Sequence, residues 1–232
     1  GAALRRYAES LASYAAARLT GPRDAEEIYG LHIQDCLYSV RLLPRTGLRH
    51  SGPCQREPAS ALDASVTDLG VIDVGSGGGL PGMVWAICRP DLPVTLLESV
   101  RKKCRALAEI ASVLGLQNVS VVWGRSEEYA LRARERYTFA SARALAHAGI
   151  AAEYLSPLVT PGGRLAVFKG PKGPEETEET GGKWSRLGLS APYWFPYGED
   201  RDTAFVLWEK TAPCPSAYPR RPGLASSKNW WI

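Results

Sequence analysis

The sequence predicts an α/β protein, a mostly parallel sheet wrapped by helices and preceded by a helical cap. Three observations carry that reading. From Leu69 onward, short β-branched runs alternate with segments of helical period. The stretch VIDVGSGGGLPG, Val71 to Gly82, reads as a strand, a glycine turn and a helix start. Sixteen residues further on, VTLLES brings Glu98 to the tip of a second strand. Such alternation implies parallel strands joined by right-handed crossovers.

In chain order, Leu4, Tyr7, Leu11, Tyr14, Ala15 and Leu19 recur at helical spacing, and Gly21-Pro22 is expected to end that helix. Ile28, Leu31, Val40, Leu42 and Leu43 supply a second helical stretch up to Pro44, so residues 1–44 form the cap. Residues 45–68, with Gly47, Gly52, Pro53 and Pro58, predict a surface loop. The sheet domain is expected over 69–210. Its strands are placed near 70–74, 94–98, 119–123, 138–142 and 163–169, with helices near 82–89, 101–114 and 147–156. Pro171 to Gly182, rich in glutamate, reads as a polar loop, and 187–195 with 203–210, joined by YGEDRD, as an antiparallel hairpin. Five parallel strands plus a C-terminal antiparallel hairpin is the Rossmann-like sheet of S-adenosylmethionine (AdoMet)-dependent methyltransferases; dehydrogenases continue with further βαβ units.

The 232 residues suit one full core. No run of eighteen apolar residues occurs, and Arg5, Arg6, Glu9 and Arg18 argue against a secretory leader, so a cytoplasmic protein without a membrane span is expected. Five cysteines without a C-x-x-C pair argue against a zinc site and a disulfide framework, and the scattered His32, His50 and His147 against any metal site. The net charge of +4 is carried by the tail 211–232 and its neighbour Lys210, which hold four basic residues and no acid. Arg220, Arg221 and Lys228 lie there with Tyr218, Trp230 and Trp231, a mixture that suits phosphates and stacked bases. The plainer alternative packs those aromatics back on the domain.

Gly75, Gly77 and Gly79 permit positive φ and the approach of a ligand to bare backbone. Gly77-Gly78-Gly79-Leu80-Pro81-Gly82 also satisfies the dinucleotide formula G-x-G-x-x-G. A dinucleotide site sets its glycines against a pyrophosphate, whereas an AdoMet site receives a sulfonium and an amino-acid tail. Asp73, two residues before the first glycine, repels a pyrophosphate and favours the cationic methionine end. Glu98, at the next strand tip, suits the hydroxyls of a ribose. A plain strand-to-helix turn without any cofactor is the bland alternative.

Seven segments recur in order: LHIQDCLYSV (31–40), VIDVGSGGGLPG (71–82), TLLESVRKKCRAL (95–107), GRSEE (124–128), SARAL (141–145), VFKGP (167–171) and YPRRPGLASSKN (218–229). Together they resemble the 16S ribosomal RNA guanine-N7 methyltransferases, the glucose-inhibited division protein B family, over nearly the whole chain. The resemblance implies that Gly75, Gly77, Gly79 and Leu80 wrap the methionine and ribose part of AdoMet, and that Glu98 holds the ribose. Ser126 and Glu127 would face the adenine, although Ser126 also reads as a helix N-cap. Arg143, ending the fourth strand, is placed at the cofactor site; an ordinary ion pair is its alternative. Lys169, ending the fifth, would meet a phosphate or the target base, or else snorkel. His32 and Asp35 resemble positions packed over the active site. Arg101, Lys102, Lys103 and Arg105 read first as a solvated helix face and second as an RNA surface.

The implied reaction transfers a methyl group to N7 of a guanosine, position 527 in the 530 loop of 16S rRNA. N7 carries a free lone pair, so no catalytic base is expected, only alignment and exclusion of water. The expected partner is 16S rRNA or a 30S assembly intermediate, and the expected state a monomer. Three departures bear on the substrate surface: the long 45–68 loop, Ala142 before Arg143, and the KNWWI ending. Competing classes are a methyltransferase for small molecules or proteins, a non-catalytic RNA-binding protein and a nicotinamide oxidoreductase.

Overall fold

The computed structural model of the chain describes residues 1–44, 70–198 and 203–232, so the loop expected at 45–68 lies outside the described residues. Seven strands make one sheet in the order β3-β2-β1-β4-β5-β7-β6. They are β1 (Val71–Val74), β2 (Val94–Glu98), β3 (Val119–Trp123), β4 (Tyr137–Arg143), β5 (Val159–Lys169), β6 (Tyr193–Pro196) and β7 (Ala204–Glu209). The first five pair in parallel, and β7 runs antiparallel to both β5 and β6. From β1 the chain winds outward to β2 and β3, then returns past β1 to β4. The carboxyl ends of β1 and β4 therefore flank the point where the winding reverses, the usual crevice of such sheets.

Alternation along each strand divides the side chains between two layers. Val71, Leu96, Phe139 and Phe168 face a core shared with the cap and with α4 (Gly82–Cys88) and α5 (Arg101–Val113). Ile72, Val74, Leu97 and Val167 face the other core, built on α7 (Ala148–Leu155) and the C-terminal segment. The same parity places Asp73 beside Val71 and Arg143 beside Phe139, on the cap side of the sheet.

The first helix, α1 (Ala2–Ser13), buries Leu4, Tyr7, Ala8 and Leu11. It stops well short of the expected Gly21-Pro22 end. Ser10 and Ser13 donate their hydroxyls to carbonyls four residues back, a competition that weakens a helix. Beyond them the chain runs irregularly, and Ala17 and Leu19 still reach the core. The second stretch is helical as expected: α2 (Ala25–Ile28), a π-turn over Tyr29–Ile33, α3 (Gln34–Ser39) and a 3-10 turn at Val40–Leu42.

Two sequence expectations are corrected. The polar loop at 171–182 contains a helix, α8 (Gly173–Glu178), with Pro174 and two glutamates in its first turn, a composition suited to a helix N-terminus. The strand expected at 187–195 is shortened to Tyr193–Pro196, with one isolated bridge at Leu189. Gly188 takes φ +72, and a Cβ there would lie 2.3 Å from Ala212 O, so the chain turns sharply at a position only glycine fits.

The tail folds back on the domain. Trp230 is 2 % and Trp231 5 % exposed; the Trp230 indole donates to Gly149 O at 2.8 Å, and Trp231 stacks on His147 at 5.0 Å. Arg220 donates from Nε and an Nη to the two oxygens of Glu153, at 2.8 and 2.7 Å. The Glu153 side chain is only 1 % exposed. Removing one partner of a buried pair leaves an uncompensated charge. Arg220→Ala should therefore destabilise the fold by about 3–5 kcal/mol, while exposed Arg221→Ala should stay within about 0.5 kcal/mol of the parent. Urea unfolding of the two variants measures the difference.

Candidate functional site

Beyond Val74 the chain turns through glycine before entering α4, and the turn is held from four sides. The amides of Gly75 and Ser76 donate to Leu97 O at 2.8 and 3.1 Å, tying it to β2. Gly77 N donates to Glu98 Oε2 at 2.9 Å, while Val100 N donates to Oε1 at 2.8 Å. Gly82 N donates to Asp73 Oδ2 at 3.0 Å. From the cap, the buried Tyr7 hydroxyl donates to Gly78 O at 2.6 Å.

The glycines serve different ends. Gly79, at φ +91, has its Cβ position filled by Met83, Leu107 and the Tyr7 hydroxyl, so it admits the cap. Gly77, at φ +58, is open: a Cβ there would meet only Gly75 O, at 3.8 Å. In front of the turn lies a cleft of about 190 Å³, lined by Gly75, Ser99, Gly124, Ser126, Glu127 and Leu145 among others. It sits on the carboxyl edge of the parallel strands, with Tyr154 and Ser226 adding a wall from the opposite layer.

The predicted site residues fall into several separate places. Gly75, Ser126 and Glu127 line the cleft. Ser126 does not cap its helix, α6 (Ser126–Tyr129); its hydroxyl donates to Tyr154 O at 2.9 Å, and Glu127 accepts from Gly223 N at 3.2 Å. Asp73, Gly77, Gly79, Leu80 and Glu98 form or back the turn. Arg143 lies on the cap side, donating to His32 O at 3.3 Å, facing His32 Nδ1 at 3.1 Å and pairing with Asp35 at 3.4 Å. His32 and Asp35 are thus joined to the strand edge through Arg143. Lys169 lies in the opposite layer, donating to Ala146 O and pairing with Glu176, both at 2.6 Å. Arg220 is engaged with Glu153, whereas Arg221 and Lys228 are exposed.

Sequence reasoning missed Tyr7, Tyr154 and Ser226. Tyr7 reads as one more apolar residue of a helical stripe; its only signal is a hydroxyl at a position that Phe or Leu would fill equally well. Tyr154 and Ser226 reach the cleft through tertiary packing; Tyr154 lies outside the motif segments, and Ser226 lies within the 218–229 segment without any local sign of its place at the cleft.

Asp73 is fully buried, and its Oδ1 has no hydrogen-bond partner. Ser141, its register partner on β4, likewise has an unpartnered hydroxyl. Burial pushes the Asp73 carboxyl up to about 7, against the Gly82 amide and the nearby Ser76 hydroxyl, which favour the ionised form. Two acidic side chains, Asp73 and Glu98, back an open glycine turn. That arrangement repels a diphosphate and fits a cationic ligand. Among the described residues no group of His, Cys, Asp or Glu could hold a metal ion, and no helix is long and apolar enough to cross a membrane.

A doubly wound sheet with an antiparallel closing strand, and an acid-backed glycine turn at its switch point, is the framework of a Rossmann-like AdoMet-dependent methyltransferase. Comparisons with known proteins agree. The family model described as GidB, rRNA small subunit methyltransferase G, matches residues 57–193. Ribosomal RNA small subunit methyltransferase G of Symbiobacterium thermophilum is 40 % identical over 184 residues, covering 72 % of this chain and 73 % of the relative. Its namesake from Moorella thermoacetica is 34 % identical over 215 residues, covering 90 % and 81 %. The chain belongs to the rRNA small subunit methyltransferase G family. Solved structures share the fold: a 16S rRNA adenine-N1 methyltransferase from Catenulisporales acidiphilia superposes with TM-score 0.53 at 14 % identity, over 65 % of this chain and 89 % of that one. A Corynebacterium glutamicum protein gives 0.55 at 14 %, over 91 % of each chain.

Asp73 makes a pH prediction. Its carboxyl takes up a proton near pH 7 in the folded state and near 3.8, its ordinary value, when unfolded. Between those values the folded state binds the extra proton, so stability falls as pH rises; the penalty is absent below about pH 4 and complete above about pH 7. Asp73→Asn should abolish this component of the fall. Melting curves from pH 4 to 8 measure it, and identical slopes for the two proteins would refute it.

Proposed function

We propose that the cleft binds AdoMet and that the protein methylates N7 of a guanosine, position 527 in the 530 loop of 16S rRNA. The carrying observation is the open backbone at Gly77, anchored by Glu98, whose neighbours Gly75 and Ser99 line the cleft. When bound, AdoMet supplies an electrophilic methyl group. Gly75, Gly77, Gly79 and Leu80 would shape the floor beneath its methionine and ribose part, and Asp73, in its ionised form, would favour its cationic end. Glu98 keeps an acceptor lone pair on each oxygen beyond those used by Gly77 and Val100, enough for a ribose diol. Ser126 and Glu127 would face the adenine. Arg143 would act from the cap side, fixing the segment that carries His32 and Asp35 over the strand ends.

The guanine N7 lone pair attacks without loss of a proton, so the protein's task is to hold N7 in line with the methyl group and to exclude water. Among the proposed substrate contacts, exposure supports Arg221 and Lys228; Lys169 and Arg220 would have to exchange Glu176 and Glu153 for RNA. We place the reaction in the cytoplasm, on 16S rRNA or a 30S assembly intermediate, with the protein acting as a monomer.

Two measurements test this reading. Unmodified small-subunit RNA incubated with the protein and labelled AdoMet should acquire label, and reduction followed by aniline should cleave the strand at one 7-methylguanosine. Gly77→Val forces a β-branched residue into positive φ and fills the open face. It should abolish the thermal stabilisation that AdoMet gives the parent. If a nicotinamide dinucleotide stabilises the parent and AdoMet does not, the cofactor assignment is wrong.

A further inference from the structure

With Trp230 and Trp231 buried, the tail offers the RNA no stacking surface from its tryptophans. Another tryptophan does lie open. Trp123 ends the edge strand β3 and is 58 % exposed, the most exposed tryptophan of the described residues. It is nonetheless fixed: its indole N–H donates to Ser99 O at 3.0 Å, and the Arg101 guanidinium lies 5.2 Å from the ring centroid. Ser99 itself lines the cleft, as does Arg125, two residues beyond Trp123. The ring therefore stands on the rim of the proposed cofactor site.

The charges around it are unspent. Arg101, Lys102 and Arg125 are exposed, and among the described residues none of them forms an ion pair. Lys169, Arg220 and Lys210, by contrast, are each paired with a glutamate. Exposed cations without carboxylate partners, grouped about a fixed aromatic face, match the chemistry of unpaired nucleic acid, whose bases stack and whose phosphates need neutralising.

We infer that Trp123 and Arg101 form a stacking platform for an unpaired base of the rRNA substrate, with Lys102 and Arg125 taking flanking phosphates. This rests on the RNA-methylating reading above and adds to it the surface by which RNA is held beside the cleft. A second copy of the chain is the other occupant such a patch would suit, and Val100, 38 % exposed, lies next to it.

The test uses the full chain with a small-subunit rRNA fragment containing the target loop. Trp123→Ala should weaken RNA binding roughly tenfold or more while the affinity for AdoMet stays at the parent value; Trp123→Phe, which keeps a stacking face, should lose far less. Lys102→Ala should lower the slope of log affinity against log salt by about 0.7, one phosphate contact on a single strand. RNA affinity unchanged in Trp123→Ala overturns the platform, as does equal loss in the Ala and Phe variants, or loss of self-association in gel filtration with RNA binding intact. Methylation by the parent protein separates the two readings. If the parent methylates the fragment but Trp123→Ala binds it normally, only the platform falls; if the parent methylates no RNA, the functional reading itself is lost.

Discussion

The fold depends on how a turn made almost entirely of backbone is held still. Five residues between β1 and α4 have no large side chains to pack, and glycine costs more conformational entropy on ordering than any other residue. The protein supplies the missing restraint from outside. Glu98 holds the Gly77 amide, Asp73 holds the Gly82 amide, Leu97 accepts from Gly75 and Ser76, and Tyr7 holds the Gly78 carbonyl. Only the face of Gly77 is left free. The same contacts thus order the loop and leave one surface bare.

This arrangement gives the N-terminal cap a part in the site. Tyr7 reaches the turn from α1, and Arg143 reaches back from β4 to His32 and Asp35. The π-turn at Tyr29–Ile33 lies at that meeting point and includes His32. Desolvation together with the nearby guanidinium holds the His32 imidazole below its usual pKa. A neutral ring there is consistent with its lying 3.1 Å from a permanent cation. Cap and sheet are therefore joined by polar contacts at the edge where the cleft opens, as well as by the apolar core beneath.

Most of the fold was legible in the sequence because its parallel strands are short apolar runs punctuated by glycine, proline and asparagine. The strand at Val71–Val74, the turn after it and the acid at Glu98 could be placed without knowing anything distant. What escaped was set by tertiary contact. The end of α1 was misread because Ala17 and Leu19 remain buried after the helix has stopped, so burial continued where periodicity suggested helix. The α8 segment was hidden by its acidity, although proline followed by glutamates is a helix start. In the site, the backbone-lined floor is visible as a glycine pattern, whereas Tyr154 lies outside every motif and Ser226, although within the 218–229 segment, comes to the cleft only through the folding back of the tail.

The basic residues show most clearly what a sequence count cannot decide. Lys169, Arg220 and Arg221 look alike as cations near an expected RNA surface, yet their surroundings separate them. Arg220 grips a carboxylate that is almost wholly buried, so its charge is committed to holding the tail against α7. Lys169 shares Glu176 with the Ala148 amide at the start of the same helix. Arg221 and Lys228 are exposed, as are Arg101 and Lys102. A polyanion gains from a cation only what that cation does not already obtain from an internal acid. Partnership, more than the number of positive charges, therefore determines which faces of this molecule can hold RNA.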